Sequence, residues 1–129
     1  MNPLSPSELD LCAALLRQRR QAVCGQLHQL LAQATPQLES MLIAGAATLD
    51  DPAVMRQLQD CDKAQLAIEL AELHSVEAAS ARIDSGDYGR CASCGGAIAQ
   101  ERLRAQPSAR MCLACQQACE QRRHSLPAR

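Results

Sequence analysis

"CASCGGAIAQERLRAQPSARMCLAC", residues 91–115, decides how this chain is to be read. It sets two Cys-x-x-Cys pairs, Cys91/Cys94 and Cys112/Cys115, on either side of a 17-residue spacer. A two-residue gap lets both sulfurs of a pair face one ion at about 2.3 Å, and two pairs complete a tetrahedron. The spacing therefore predicts a four-cysteine zinc site. Gly95 and Gly96 follow the first pair, where the chain turns and a side chain would strain left-handed backbone. Four thiolates leave no open coordination position, so the zinc is expected to be structural rather than catalytic. A disulfide or redox pair is the alternative reading of the same residues.

On the C-terminal side, "LACQQACEQRRH" reads as a short final helix and "SLPAR" as a frayed end. Cys119 lies one helical turn past Cys115 and reads as a buried thiol rather than a substitute ligand. On the N-terminal side, "DSGDYG", residues 84–89, supplies turn chemistry that ends a preceding helix. That helix is expected over Pro52–Ile83, with Val54, Leu58, Leu66, Leu70, Leu73, Val76 and Ile83 on one stripe that weakens around Cys61 and Asp62. Asp51-Pro52 starts it, and at ~1.5 Å per residue it would run on the order of 45 to 50 Å. A helix of that length needs a partner. The segment 35–47, striped by Leu38, Met41 and Leu42, is the expected antiparallel neighbour, with an acidic, exposed tip at 47–53. Pro36 either kinks an earlier helix or restarts it with Thr35 as cap. That earlier helix begins at a capping box, Ser7-Glu8-Leu9-Asp10, and carries Leu9, Cys12, Leu16, Val23, Leu27, Leu30 and Leu31. Cys12, Cys24 and Cys61 sit in apolar helical context and read as packing residues.

The expected fold is thus mainly α: a long antiparallel coiled-coil helical hairpin on a small globular part, with a four-cysteine zinc-finger module and a C-terminal helix. Residues 1–34 would form the N-terminal helix of the globular part and/or the base of the hairpin, 35–84 the coiled-coil hairpin with its tip near 47–53, and 85–129 the zinc-finger module and C-terminal helix. Composition agrees, because Leu, Ala, Gln, Arg and Glu dominate while Trp and Phe are absent and Tyr88 is the one aromatic residue. No apolar run approaches the roughly 18 residues of a membrane span, and "MNPLSPSELD" lacks the features of a signal peptide. A cytoplasmic protein is expected, in which eight cysteines serve as metal ligands or buried thiols. Charge is uneven: nine acids face three bases from Asp50 to Asp87, whereas seven arginines face two acids from Tyr88 to Arg129. Such asymmetry suggests different partners at the two ends, against the plainer reading of a solvated surface.

The run from "DSGDYGRCASCGGAI" through "ERLRAQPSARMCLAC" resembles the DksA/TraR family of bacterial transcription regulators. The resemblance covers roughly residues 50–119, and upstream only the helix layout supports it. It implies a coiled-coil hairpin that enters the secondary channel of RNA polymerase and acts through acids at its tip, with no DNA contact required. The family's tip pattern, Asp-x-x-Asp-x-Ala, falls on residues 48–53: Asp51 and Ala53 match, Thr48 replaces the first acid, Asp50 adjoins the match, and Pro52 is unusual. Members that respond to ppGpp carry an Arg before the Pro and a Lys after the last cysteine, where this chain has Gln106 and Gln116. Each missing charge-assisted bond is worth roughly 1.5 to 3 kcal/mol, so ppGpp binding is expected to be weak or absent.

Two other classes compete. A zinc-module nucleic-acid binder would use Arg102, Arg104, Arg110, Arg122 and Arg123 on phosphates, but the stacking aromatics are missing and the hairpin is acidic. A redox-switched zinc scaffold or chaperone would release its metal on thiolate oxidation. An enzyme is not expected, since His28, His74 and His124 are scattered and no activated nucleophile stands out.

Overall fold

The computed structural model of the chain describes residues 4–125, without the side chains of residues 123–125. The arginine side chain expected to act at position 123 and residues 126–129 of the frayed end lie outside the described residues. Among the described residues the chain is mainly helical and holds no strand: α1 (Pro6–Leu30), α2 (Pro36–Ala44), α3 (Pro52–Gln57), α4 (Lys63–Ser85), α5 (Gln100–Ala105) and α6 (Leu113–Ser125). It forms two compact units, one of Arg17–Glu77 and the other built from the chain on either side of it.

The helix ends follow from local chemistry. A capping box opens α1, but on Ser5 rather than Ser7: Glu8 N donates to Ser5 Oγ at 3.2 Å and Ser5 N to Glu8 Oε2 at 3.3 Å. Pro6 suits the first helical position, so the cap falls on the residue before it. Of the two expectations for Pro36, restart is the one observed, with Thr35 Oγ1 accepting from Leu38 N at 3.1 Å. α2 ends earlier than expected, at Ala44, because Gly45 adopts the left-handed conformation (φ +79°) and its amide and the next one return to Leu42 O and Met41 O.

The long helix expected over Pro52–Ile83 is interrupted. Asp51 caps α3, accepting from Ala53 N at 2.9 Å, but α3 closes at Leu58 and the chain turns through 58–62. Asp62 then caps α4, its carboxylate accepting from Gln65 N at 3.1 Å and its carbonyl from Leu66 N at 2.9 Å. A short acidic side chain that satisfies its own backbone competes with helix continuation, which is why the stripe fades there.

The antiparallel hairpin is present, and α4 packs against α1 as well as against α2, the neighbour expected for it. In the unit Arg17–Glu77, Cys61 Sγ reaches Leu30 O at 3.2 Å and Arg19 Nε meets Glu72 Oε1 at 3.3 Å, so α1 and α4 run in opposite directions along one another. α2 folds back between them: His28 Nδ1 meets Glu39 Oε1 at 3.1 Å, and His74 Nε2 meets Ile43 O at 3.3 Å. Val23, Leu27 and Leu31 from the α1 side, Leu38 and Leu42 from α2, Val54 and Leu58 from α3, and Leu66, Leu70 and Leu73 from α4 make one buried cluster. Each such side chain contributes about 1.5–3 kcal/mol when buried, whereas an exposed ion pair such as Arg19–Glu72 contributes about 0–1 kcal/mol. The apolar cluster therefore sets the arrangement.

Candidate metal centre and acidic turn

The metal module begins where α4 ends. Tyr88, Gly89 and Arg90 lead into the first cysteine pair, and an isolated antiparallel bridge joins Arg90 to Ala97. Inside it the chain turns tightly: Cys91 N donates to Gly96 O at 2.7 Å and Gly95 N to Cys91 O at 3.0 Å, with Gly95 at φ +75° as the turn requires. Two further amides point at sulfur, Ser93 N to Cys91 Sγ and Gly96 N to Cys94 Sγ, each at 3.4 Å. The second pair straddles the start of α6: Cys112 precedes its first residue and Cys115 lies in its first turn. The unpaired amides of a helix start favour negative charge there. Ala92 N donates to Arg110 O at 2.8 Å and ties the first pair to the chain that delivers the second.

The four Sγ atoms of Cys91, Cys94, Cys112 and Cys115 lie within 4.8 Å of one another. In a regular tetrahedron with ~2.3 Å metal–sulfur bonds the sulfurs stand about 3.8 Å apart. Cys94 and Cys112 Sγ are separated by 3.9 Å. Spacing, donor type and geometry thus fit one structural zinc ion with no position left for substrate. Cys119 is not among the four that converge.

The electrostatics of the free thiols point the same way. Burial pushes the Cys91 thiol up, but the amides of Cys94, Cys112 and Ser93 outweigh it and bring the group down to about 6. Cys115 moves in the opposite direction, to about 12, because it is hydrogen-bonded to Cys112, Cys91 and Cys94. A cluster of this kind gives up its first proton readily and holds its last, and a divalent cation relieves that repulsion.

The spacer between the pairs is itself structured, which the sequence reading did not foresee. α5 buries Leu103, and Arg102 Nε donates to Met111 O at 3.0 Å just before the second pair. Tyr88 donates its hydroxyl proton to Pro107 O at 2.8 Å, fixing the buried stretch 107–109. The lone aromatic residue next to the first pair was the available signal. Arg102 is therefore engaged in the module's own backbone, while Arg104 and Arg110 are exposed. Arg82 Nη2 is buried without a hydrogen-bond partner among the described residues, and burial first and Arg110 second lower the group's pKa.

The acidic turn belongs to the other unit. Asp50, Asp51 and Ala53 are all exposed. The Asp51 carboxylate is occupied as the α3 cap, whereas Asp50 makes no side-chain hydrogen bond among the described residues. Gln106 is exposed at the end of α5, and Gln116 donates to Glu120 at 2.9 Å on α6.

Comparison with known proteins agrees with this geometry. Residues 86–121 match the family described as the prokaryotic DksA/TraR C4-type zinc finger. Among solved structures, the transcription factor DksA2 from Pseudomonas aeruginosa superposes with a TM-score of 0.65 at 24% identity, covering 93% of this chain and 88% of that one. At that identity the likeness is one of fold. No curated protein matches the sequence.

Proposed function

We propose, from the premise that residues 86–121 form a DksA/TraR zinc finger, that this chain regulates transcription by binding RNA polymerase in the cytoplasm. The observation that carries the reading is the combination of that finger with an antiparallel helical hairpin, in a fold shared with a transcription factor over 93% of the chain. Zinc acts structurally, held by Cys91, Cys94, Cys112 and Cys115. Asp50, Asp51 and Ala53 are the residues that act inside the polymerase channel, with Asp50 the acid whose carboxylate is not already engaged. No step requires DNA, and no helix among the described residues is long and apolar enough to cross a membrane.

The experiment is co-purification with core RNA polymerase together with transcription in vitro, for the natural chain and for Asp50→Ala/Asp51→Ala. The expected result is retained polymerase binding and lost effect on transcription in the double variant. If the purified protein ignores polymerase and shifts bare DNA in a salt-sensitive manner, the arginine-rich module is a nucleic-acid binder instead.

A further inference from the structure

Inside the unit that carries the metal module, the surface opens into a cavity of about 650 Å³. Leu4 and Leu9 at the start of α1, Ile83 at the end of α4, and Tyr88 and Ile98 on the two segments joined by the Arg90–Ala97 bridge give it an apolar floor. Gly89 lets Leu4 lie against that bridge, since a Cβ there would stand 3.1 Å from Leu4 Cδ1. Cavities of about 300–1,000 Å³ with mostly apolar walls and a few polar groups are those that take small organic ligands.

The polar groups on this lining are few. Gln100 is already engaged, its side-chain amide donating to Glu8 Oε2 at 2.7 Å. Arg90 and Glu101 are exposed, and neither side chain has a hydrogen bond or ion pair among the described residues. The two opposite charges thus border one cavity without pairing with each other. Ala97 stands across the bridge from Arg90, and Glu101 follows it by at most about 14 Å of chain, so one small molecule can reach both.

Charge complementarity then selects the ligand. An apolar acid would satisfy Arg90 and leave Glu101 facing its body, and an apolar amine would do the reverse. A molecule with a carboxylate and an ammonium on one apolar body meets both charges and covers the floor. We propose that this cavity binds apolar zwitterions, amino acids or short peptides, with the carboxylate on Arg90 and the ammonium on Glu101. None of the four clustered cysteines lines it, and neither Gln106 nor Gln116 does, so the site is separate from the metal and from the positions considered for ppGpp.

The test uses the full zinc-loaded chain, with leucyl-leucine and L-leucine as probes. Its isoleucine methyls report the site: Ile83 and Ile98 line the cavity, while Ile43 and Ile68 lie in the unit Arg17–Glu77 and serve as references. Saturable shifts of the Ile83 and Ile98 methyls and of Tyr88 emission are expected, with Ile43 and Ile68 unmoved. Arg90→Gln is expected to weaken leucyl-leucine roughly tenfold and to leave leucyl-leucinamide, which has no carboxylate, unaffected. Glu101→Gln is expected to weaken leucyl-leucine by a similar factor and to leave N-acetyl-leucyl-leucine, which has no ammonium, unaffected. Zinc content and helicity verify that both variants are folded. L-leucine binding as tightly as the dipeptide assigns the site to free amino acids, and tighter binding of the dipeptide assigns it to peptides. The proposal is overturned if neither probe shifts the two methyls at millimolar concentration, if both substitutions leave the affinity unchanged, or if the analogues lacking one charge bind the natural chain as tightly as leucyl-leucine.

Discussion

Tyr88 fixes the metal module from outside the ligand set. Its hydroxyl is the partner of the buried Pro107 carbonyl, so Tyr88→Phe leaves an acceptor without a donor. The expected cost is about 1–3 kcal/mol, read as a lowered urea midpoint of the zinc-loaded protein with zinc stoichiometry unchanged. Cys91 makes a prediction about pH. Its folded value, brought from an ordinary 9.0 to about 6, lies below its unfolded one. The thiolate therefore stabilises the metal-free fold fully above about pH 9, progressively less as pH falls, and not at all below about 6. Cys115 is shifted the other way and offsets part of this at high pH. Zinc competes with protons for the same sulfurs, so competition with a chromophoric chelator is expected to give a falling zinc affinity from pH 8 to pH 5.

Among the elements, the caps and breaks carry the most information. Asp62→Ala removes the cap of α4, and about 0.5–2 kcal/mol is expected to be lost in chemical denaturation. Leu66→Ala, at a side chain with no exposed surface, is expected to cost about 2–5 kcal/mol by the same measurement. Where proline or a cysteine pair punctuates the chain, the elements were legible from the sequence. Asp51-Pro52, Thr35-Pro36 and the four cysteines each constrain backbone or metal geometry by their own chemistry. Two features were not legible. The break at 58–62 has no glycine or proline to announce it and depends on Asp62 serving itself as a cap. That α4 packs on α1 as well as on α2 was also not fixed, because an apolar stripe states which face of a helix is buried and not against what. Leu38 and Leu42 suit α1 and α4 equally, and only the three-dimensional cluster assigns them to both.

For the whole molecule, the uneven charge takes on a structural form. The acidic turn and the aspartates around α3 belong to one unit, and the arginines of the spacer and α6 belong to the other. The resemblance to DksA/TraR regulators implies cations for ppGpp at the positions of Gln106 and Gln116, where this chain has neutral amides, and Gln116 is already bonded to Glu120. Calorimetry on the zinc-loaded chain is expected to detect no micromolar ppGpp binding, and Gln106→Arg/Gln116→Lys is expected to increase affinity. Micromolar binding by the natural chain would contradict this assignment.

The chain possesses one phenol ring and no indole, and that ring is sealed in beside the first cysteine pair. Ultraviolet emission from the native protein is accordingly a gauge wired to the metal half alone. Stripping the ion should change that signal, whereas motion of the acidic half should leave it dark, so each half can be watched in solution by a different kind of light or label.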